Sequence, residues 1–328
     1  MARITVVGAG AVGCYYGALL ARGGHDVTFV MRRDLEAVRA LGLEIRSPNG
    51  NFHVAAHAVA RSEDAGPADW VICSLKATAM DQAEGLVRPY VGPETRILAL
   101  MNGLGIEERL AQWAGGERVF GGMAFVCINR GEPGVVHHLE YGRLSIGHYA
   151  DDPGELGALE ALLVSGGIEV TPSPNLRAAR WEKLCWNIPF NGLSVATGGL
   201  GTASIMADSA LRALAEGTMR EVVATANADL AAAASATRLD EDAIVERMMT
   251  QTGTMGDYRT SMVIDYVQGN PLEVEAILGE PLRRAELLGI PTPGMAALYA
   301  LVRNADLCRR GERKLLTPGD LGRIEALR

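Results

Sequence analysis

The chain has 328 residues, with 31 Lys and Arg against 39 Asp and Glu, a formal net charge of −8, 48% hydrophobic residues and 21% charged ones. That length exceeds one ordinary core and suits two domains, and the composition is that of a soluble globular chain. The acidic total argues against nucleic acid or an anionic membrane as partner, and no apolar run reaches the roughly 18–20 residues of a membrane span.

The opening MARITVVG enters a strand-like run with no cleavage site, so no secretory signal is expected. Cys14, Cys73, Cys127, Cys185 and Cys308 are scattered and form no CxxC pair, which points to neither a disulfide framework nor zinc and fits a reducing cytoplasm. His137 and His138 lie in a β-rich stretch without a third ligand, and no metal is expected.

In chain order, Ile4–Val7 reads as a buried parallel strand and Ala11–Arg22 as a helix closed by Gly23-Gly24, with Asp26–Val30 a second strand. Trp70–Leu75 and Ile97–Met101 are further buried strands, separated by a helix near Ala79–Val87. Strands alternating with helices predict a parallel sheet covered on both faces. Val119–Tyr149 reads as an antiparallel extension, followed by a helix over Pro153–Gly166 and a last strand at Ile168–Val170. Thr171-Pro172-Ser173-Pro174 is the linker candidate, since two prolines interrupt regular hydrogen bonding. Helices are expected over Leu176–Val195, Ala203–Ala236, Asp240–Met249, Leu272–Leu288 and Pro293–Asp306. The fold expected is α/β, with a Rossmann-type doubly wound domain over residues 1–172 and an all-α domain over 173–328.

Gly8-Ala9-Gly10-Ala11-Val12-Gly13 follows a strand and opens a helix. The first glycine permits the turn, the second lets backbone approach a pyrophosphate, and the third lets helix and strand pack closely. The N–H groups of Gly10, Ala11, Val12 and Gly13 and the positive helix end then face phosphate. An acid that would bind a ribose hydroxyl is expected about 20 residues on; here the chain reads Met31-Arg32-Arg33-Asp34. A guanidinium suits a 2′-phosphate, so Arg32 points to NADP. The alternatives are a solvated loop arginine, or Asp34 reaching the ribose instead.

Ser74-Leu75-Lys76 and Leu100-Met101-Asn102-Gly103 each end a strand, where ligands of open α/β sheets bind. Lys76 is either a cofactor contact or a surface lysine. Asn102 either positions cofactor or substrate or makes an Asn-Gly turn. Lys183, Asn187 and Asn191 recur every four residues among Trp181, Leu184, Trp186 and Ile188, a polar stripe that is costly to bury without partners. Pro189 suggests a break in that helix, so the stripe is either partnered by a small polar ligand or a lysine snorkelling from the helix with asparagines capping the break. Chemistry alone singles out neither Ser261, after Thr260, nor Glu273, in the first turn after Gly269-Asn270-Pro271.

GAGAVG, SLK, MNG, KLCWN, TSMVIDYVQGNPLEVE and LGIPTPGMAALYALV, in that order, resemble the ketopantoate reductase (2-dehydropantoate 2-reductase) family. The resemblance implies NADPH as hydride donor to the keto carbon of a 2-keto acid, with Lys183 as general acid and Glu273 orienting substrate and lysine and touching the cofactor. It also implies Asn102, Asn187, Asn191 and Ser261 as substrate contacts, Asn102 also at the nicotinamide. The chain departs from the pattern at Gly192, where many members have proline, and at Gly198-Gly199-Leu200-Gly201, which lacks an asparagine some members use to hold substrate. Reduction of 2-dehydropantoate for pantothenate biosynthesis is therefore the expected activity. Another 2-keto acid, or a non-catalytic NADPH-binding redox sensor, are the alternatives, with either a monomer or a homodimer as the assembly.

Overall fold

The computed structural model describes residues 1–60 and 66–315. The chain forms two compact units, Met1–Lys183 and Leu184–Arg328, the second described as far as residue 315.

The first unit is built on strands β1 (Arg3–Val7), β2 (Asp26–Val30), β3 (Leu43–Arg46), β4 (Phe52–Val54), β5 (His57–Val59), β6 (Ala68–Cys73), β7 (Val91–Ala99), β8 (Val119–Arg130), β9 (Val135–His148) and β10 (Val170–Pro172). Between them run helices α1 (Ala11–Arg22), α2 (Leu35–Leu41), α3 (Ala83–Val87), α4 (Ile106–Ala114) and α5 (Pro153–Ser165). Six strands lie parallel in the order β5-β2-β1-β6-β7-β8. That order reverses at β1, as in two βαβαβ halves wound in opposite directions. Val6, Val71, Ile72, Ile97 and Leu98 are buried, as strands covered on both faces require.

Beyond β8 the sheet becomes mixed: β9 is antiparallel to β8, β3 and β10 are parallel to β9, and β4 is antiparallel to β3. The antiparallel extension expected over Val119–Tyr149 is thus the β8–β9 pair. The last strand lies later than expected, and Thr171 and Pro172, read above as linker, pair with Ser145 and Ile146. A proline fits there because, among the described residues, β10 pairs only with β9, and an edge strand can do without one N–H. The helix expected over Ala79–Val87 is a 3-10 turn over Ala77–Gln82 running into α3.

Helix α6 (Leu176–Ala196) starts in the first unit and continues into the second. It is unbroken at Pro189. The rest of the second unit is helical: α7 (Thr202–Ala207), α8 (Ser209–Ala232), α9 (Glu241–Thr254), α10 (Ser261–Gln268), α11 (Glu280–Leu287) and α12 (Pro293–Arg309). The single helix expected over Ala203–Ala236 is two, because Asp208 leaves helical geometry and its carboxylate accepts from Ala210 and Leu211 N–H as the cap of α8. The helix expected from Leu272 starts later, with a π turn over Glu275–Gly279 ahead of α11. Phe190, Met219, Val222, Val223, Met295, Leu298 and Val302 are buried in this unit. Among the described residues no helix is long and apolar enough to cross a membrane.

Candidate active site

At the strand-order reversal, the carboxyl ends of β1 and β6 lie side by side. The chain leaves β1 through Gly8 at φ +88°, and a Cβ there would lie 2.7 Å from the Leu75 nitrogen and 2.8 Å from the Ser74 carbonyl. Only glycine takes that path without strain. Ser74 Oγ donates to the Gly8 carbonyl at 2.8 Å, tying the two strand ends together. A Cβ on Gly13 would lie 2.8 Å from the Gly8 carbonyl and 3.0 Å from Val6 Cγ1, so this position is closed by packing. Gly10 differs: among the described residues its Cβ would meet only the Gly8 carbonyl, at 3.8 Å. No side chain caps α1 at Gly10, which leaves the first-turn N–H groups to an anion. Open space over Gly10 beside an uncapped helix start fits a dinucleotide pyrophosphate.

Arg32 lies two residues past the end of β2, is exposed and makes no ion pair among the described residues. Asp34, at φ +64°, is committed elsewhere: Arg130 Nη2 donates to its Oδ2, and Arg33 Nε lies 3.7 Å from its Oδ1. Lys76 is exposed just past β6. The thiols of Cys14 and Cys73 are pushed up to about 12 by burial and stay protonated near neutrality.

The structure brings Lys183 and Asn102 together. Lys183 Nζ donates to Asn102 Oδ1 at 3.0 Å and to the Ala124 carbonyl at 2.9 Å. The strands explain why that carbonyl is available. β7 pairs with β8 only as far as Gly121, and Leu144, opposite Ala124, sends its own N–H to Glu169. The Ala124–Leu144 pair is therefore the non-hydrogen-bonded kind, whose carbonyls face away from the partner strand. The Phe125 ring lies 5.6 Å from the same nitrogen.

A buried ion pair anchors this arrangement, and no local sequence pattern singled it out. Arg180, three residues before Lys183, donates through Nε to Glu107 Oε1 at 3.0 Å, and through its terminal nitrogens to the carbonyls of Met101 at 2.5 Å and Ala99 at 3.1 Å. Both side chains of the pair are 3% exposed. Burial pushes the Glu107 carboxyl up, and Arg180 opposes that shift. Arg180 thus fixes α6 against the end of β7, next to Asn102. Its position one turn before Lys183, on the same face, is the signal that could have found it.

The other expected site residues belong to the second unit. Asn187 and Asn191 are buried on α6 at four-residue intervals after Lys183. Asn191 is 2% exposed, and its Oδ1 has no partner among the described residues. A buried acceptor left without a donor costs about 1–3 kcal/mol. Trp186, just before Asn187, stacks on Phe190 and donates from Nε1 to Thr252 at 2.9 Å. Ser261 is the exposed first residue of α10, behind the Thr260 cap. Glu273 is 6% exposed. Asp306 of α12 fixes its neighbour, accepting from Leu272 N–H at 3.1 Å.

The family model described as Ketopantoate reductase PanE/ApbA matches residues 4–151, and its C-terminal counterpart matches residues 175–306. A 2-dehydropantoate 2-reductase of Nostoc sp. is 36% identical over 314 residues, covering 93% of this chain and 95% of the relative. The crystal structure of a 2-dehydropantoate 2-reductase from Geobacter metallireducens superposes with a TM-score of 0.88 at 44% identity, covering 92% of this chain and 99% of that one. A D-mandelate dehydrogenase solved with NADH and anilino(oxo)acetate has a TM-score of 0.83 at 22% identity, covering 94% and 99%, and shares the fold alone.

Proposed function

The chain belongs to the ketopantoate reductase family of oxidoreductases, and we propose that it reduces a 2-keto acid, 2-dehydropantoate, to the 2-hydroxy acid with NADPH. The observation that carries this reading is the Lys183 ammonium held by Asn102 Oδ1 and the Ala124 carbonyl, in the unit that also holds the glycine cradle.

The residues that would hold the dinucleotide are Gly8, Gly10, Ala11, Val12 and Gly13, with Arg32 and Lys76 toward the 2′-phosphate and Asn102 toward the nicotinamide. Bound there, NADPH supplies a hydride. Lys183 donates a proton to the carbonyl oxygen as negative charge develops on it, and its own charge stabilises that oxygen. Asn102 fixes the ammonium. Glu273 orients substrate and lysine, and Ser261, Asn187 and Asn191 hold the carboxylate and hydroxyl groups. The preference for NADPH is supported by Asp34: Arg130 already binds its carboxylate, leaving Arg32 as the group suited to a 2′-phosphate.

A different 2-keto acid is the second reading, favoured by Gly198 and Gly199 at φ +79° and +123°, where no side chain is present to hold substrate. The test is loss of reduced-nicotinamide absorbance with 2-dehydropantoate and a panel of other 2-keto acids, with NADPH and NADH side by side. Turnover fastest with 2-dehydropantoate and NADPH is expected. Faster turnover of another acid selects the second reading. Tight NADPH binding with no turnover of any acid identifies a redox sensor and overturns the proposal.

A further inference from the structure

We infer that Phe125 is a specificity-determining residue, whose ring contacts the substituent beside the substrate's carbonyl and sets how strongly the protein distinguishes one substituent from another. This role rests on the reductase reading above.

Phe125 is 50% exposed, although β8 up to Met123 is buried. Its ring stands 5.6 Å from Lys183 Nζ. A carbonyl oxygen accepting a proton from that nitrogen lies about 2.8 Å from it, so the reacting carbon and its substituent fall within reach of the ring. Phe125 is thus a large apolar surface next to the acceptor, with its ring incompletely covered by the unit's own core.

The backbone at Phe125 is irregular. The β8–β9 register shifts between Phe125, opposite Arg143, and Val126, opposite Tyr141, so Gly142 is an extra residue on β9. Tyr141 takes φ +63° and Gly142 φ +132°. Such bulges twist a strand pair locally and recur beside active sites, where they re-aim a side chain. This one is held in place. Tyr16 donates its hydroxyl to the Gly142 carbonyl at 3.2 Å, and His138 Nε2 lies 2.7 Å from the Tyr141 carbonyl. A carbonyl only accepts, so Nε2 donates this bond, and Nδ1 lies 2.8 Å from Ser47 Oγ. A buried histidine and a buried tyrosine thus fix the twist next to an aromatic ring that the core leaves half exposed.

The physical consequence is selective contact. A branched or aryl substituent gains apolar contact with the ring, whereas a methyl group is too short to use it. One methylene against an apolar wall discriminates by about 10–200-fold in kcat/KM.

The experiment compares wild type, Phe125→Ala and Phe125→Leu, with NADPH, on three 2-keto acids whose substituents are methyl, isopropyl and phenyl. In F125A the kcat/KM ratios of isopropyl over methyl and phenyl over methyl should fall about 10–100-fold, mostly through KM. In F125L the isopropyl ratio should largely return and the phenyl ratio should not. Ratios within about 3-fold of wild type in F125A, with or without a uniform loss of activity, would overturn the selective role while leaving the reductase reading intact. Wild-type protein that turns over none of these acids, nor 2-dehydropantoate, would overturn both.

Discussion

Arg180 and Glu107 form an ion pair sealed from solvent, with Arg180 also donating to the Ala99 and Met101 carbonyls at the end of β7. One helical turn on, Lys183 meets Asn102. The pair therefore fixes both partners of the Lys183–Asn102 hydrogen bond. Two charges without water are stable only while both are present. Glu107→Ala should lower unfolding free energy by about 3–5 kcal/mol, and the double change R180M/E107L should recover most of it. Urea denaturation of the two variants measures this; a double variant no more stable than the single one would contradict it.

The cradle glycines should separate under substitution. Gly13→Ala forces a Cβ to 2.8 Å from the Gly8 carbonyl, so it should lower the melting temperature. Gly10→Ala has space for its Cβ in the protein alone, so its melting temperature should match wild type while NADPH binding weakens at least about 10-fold. Calorimetric titration and thermal melts on both variants check this. Unaltered NADPH affinity in G10A would remove the pyrophosphate from this position.

Cofactor choice should respond to Arg32. Losing a charge-assisted contact to the 2′-phosphate should raise the NADPH dissociation constant about 10–100-fold in Arg32→Ala, with that for NADH nearly unchanged. Quenching of protein fluorescence by each nucleotide reads both constants. Equal weakening of the two would assign Arg32 a role other than phosphate recognition.

The acid limb of stability should be set partly at the start of α5. There the Arg96 guanidinium, 2.6 Å from Glu155, holds that carboxyl below its ordinary value. The Glu155 and Gly154 N–H groups do the same for Asp152. Both groups bind protons less readily folded than unfolded, so their stabilisation is complete above the ordinary carboxylate range and is lost as pH falls through the lowered values. The double variant D152N/E155Q should show a shallower fall in melting temperature between about pH 5 and 3 than wild type. Parallel acid limbs would contradict this.

Much of the framework was legible where punctuation was strong. Ala11–Arg22 and Asp26–Val30 are helix and strand at the bounds expected, because Gly8–Gly10 and Gly23-Gly24 flank a helical run and an apolar one. Ser261–Gln268 was not foreseen as a helix, since its β-branched and aromatic residues suit a strand equally well. Asp208 hid a helix start inside one continuous helical pattern. The stripe of Lys183, Asn187 and Asn191 was visible because one helix carries all three. Glu107 and Arg180 lie 73 residues apart, and their pairing depends on where β7 ends, which no local window contains. Phe125 was invisible for the same reason: the bulge that sets it off belongs to the opposite strand.

Lys183→Ala tests the central claim most directly. Single-turnover reduction of 2-dehydropantoate should slow by about 10²–10⁴-fold while the NADPH dissociation constant stays within about 2-fold of wild type. Near-normal turnover in this variant would contradict the assignment of Lys183 as proton donor and, with it, the proposed mechanism.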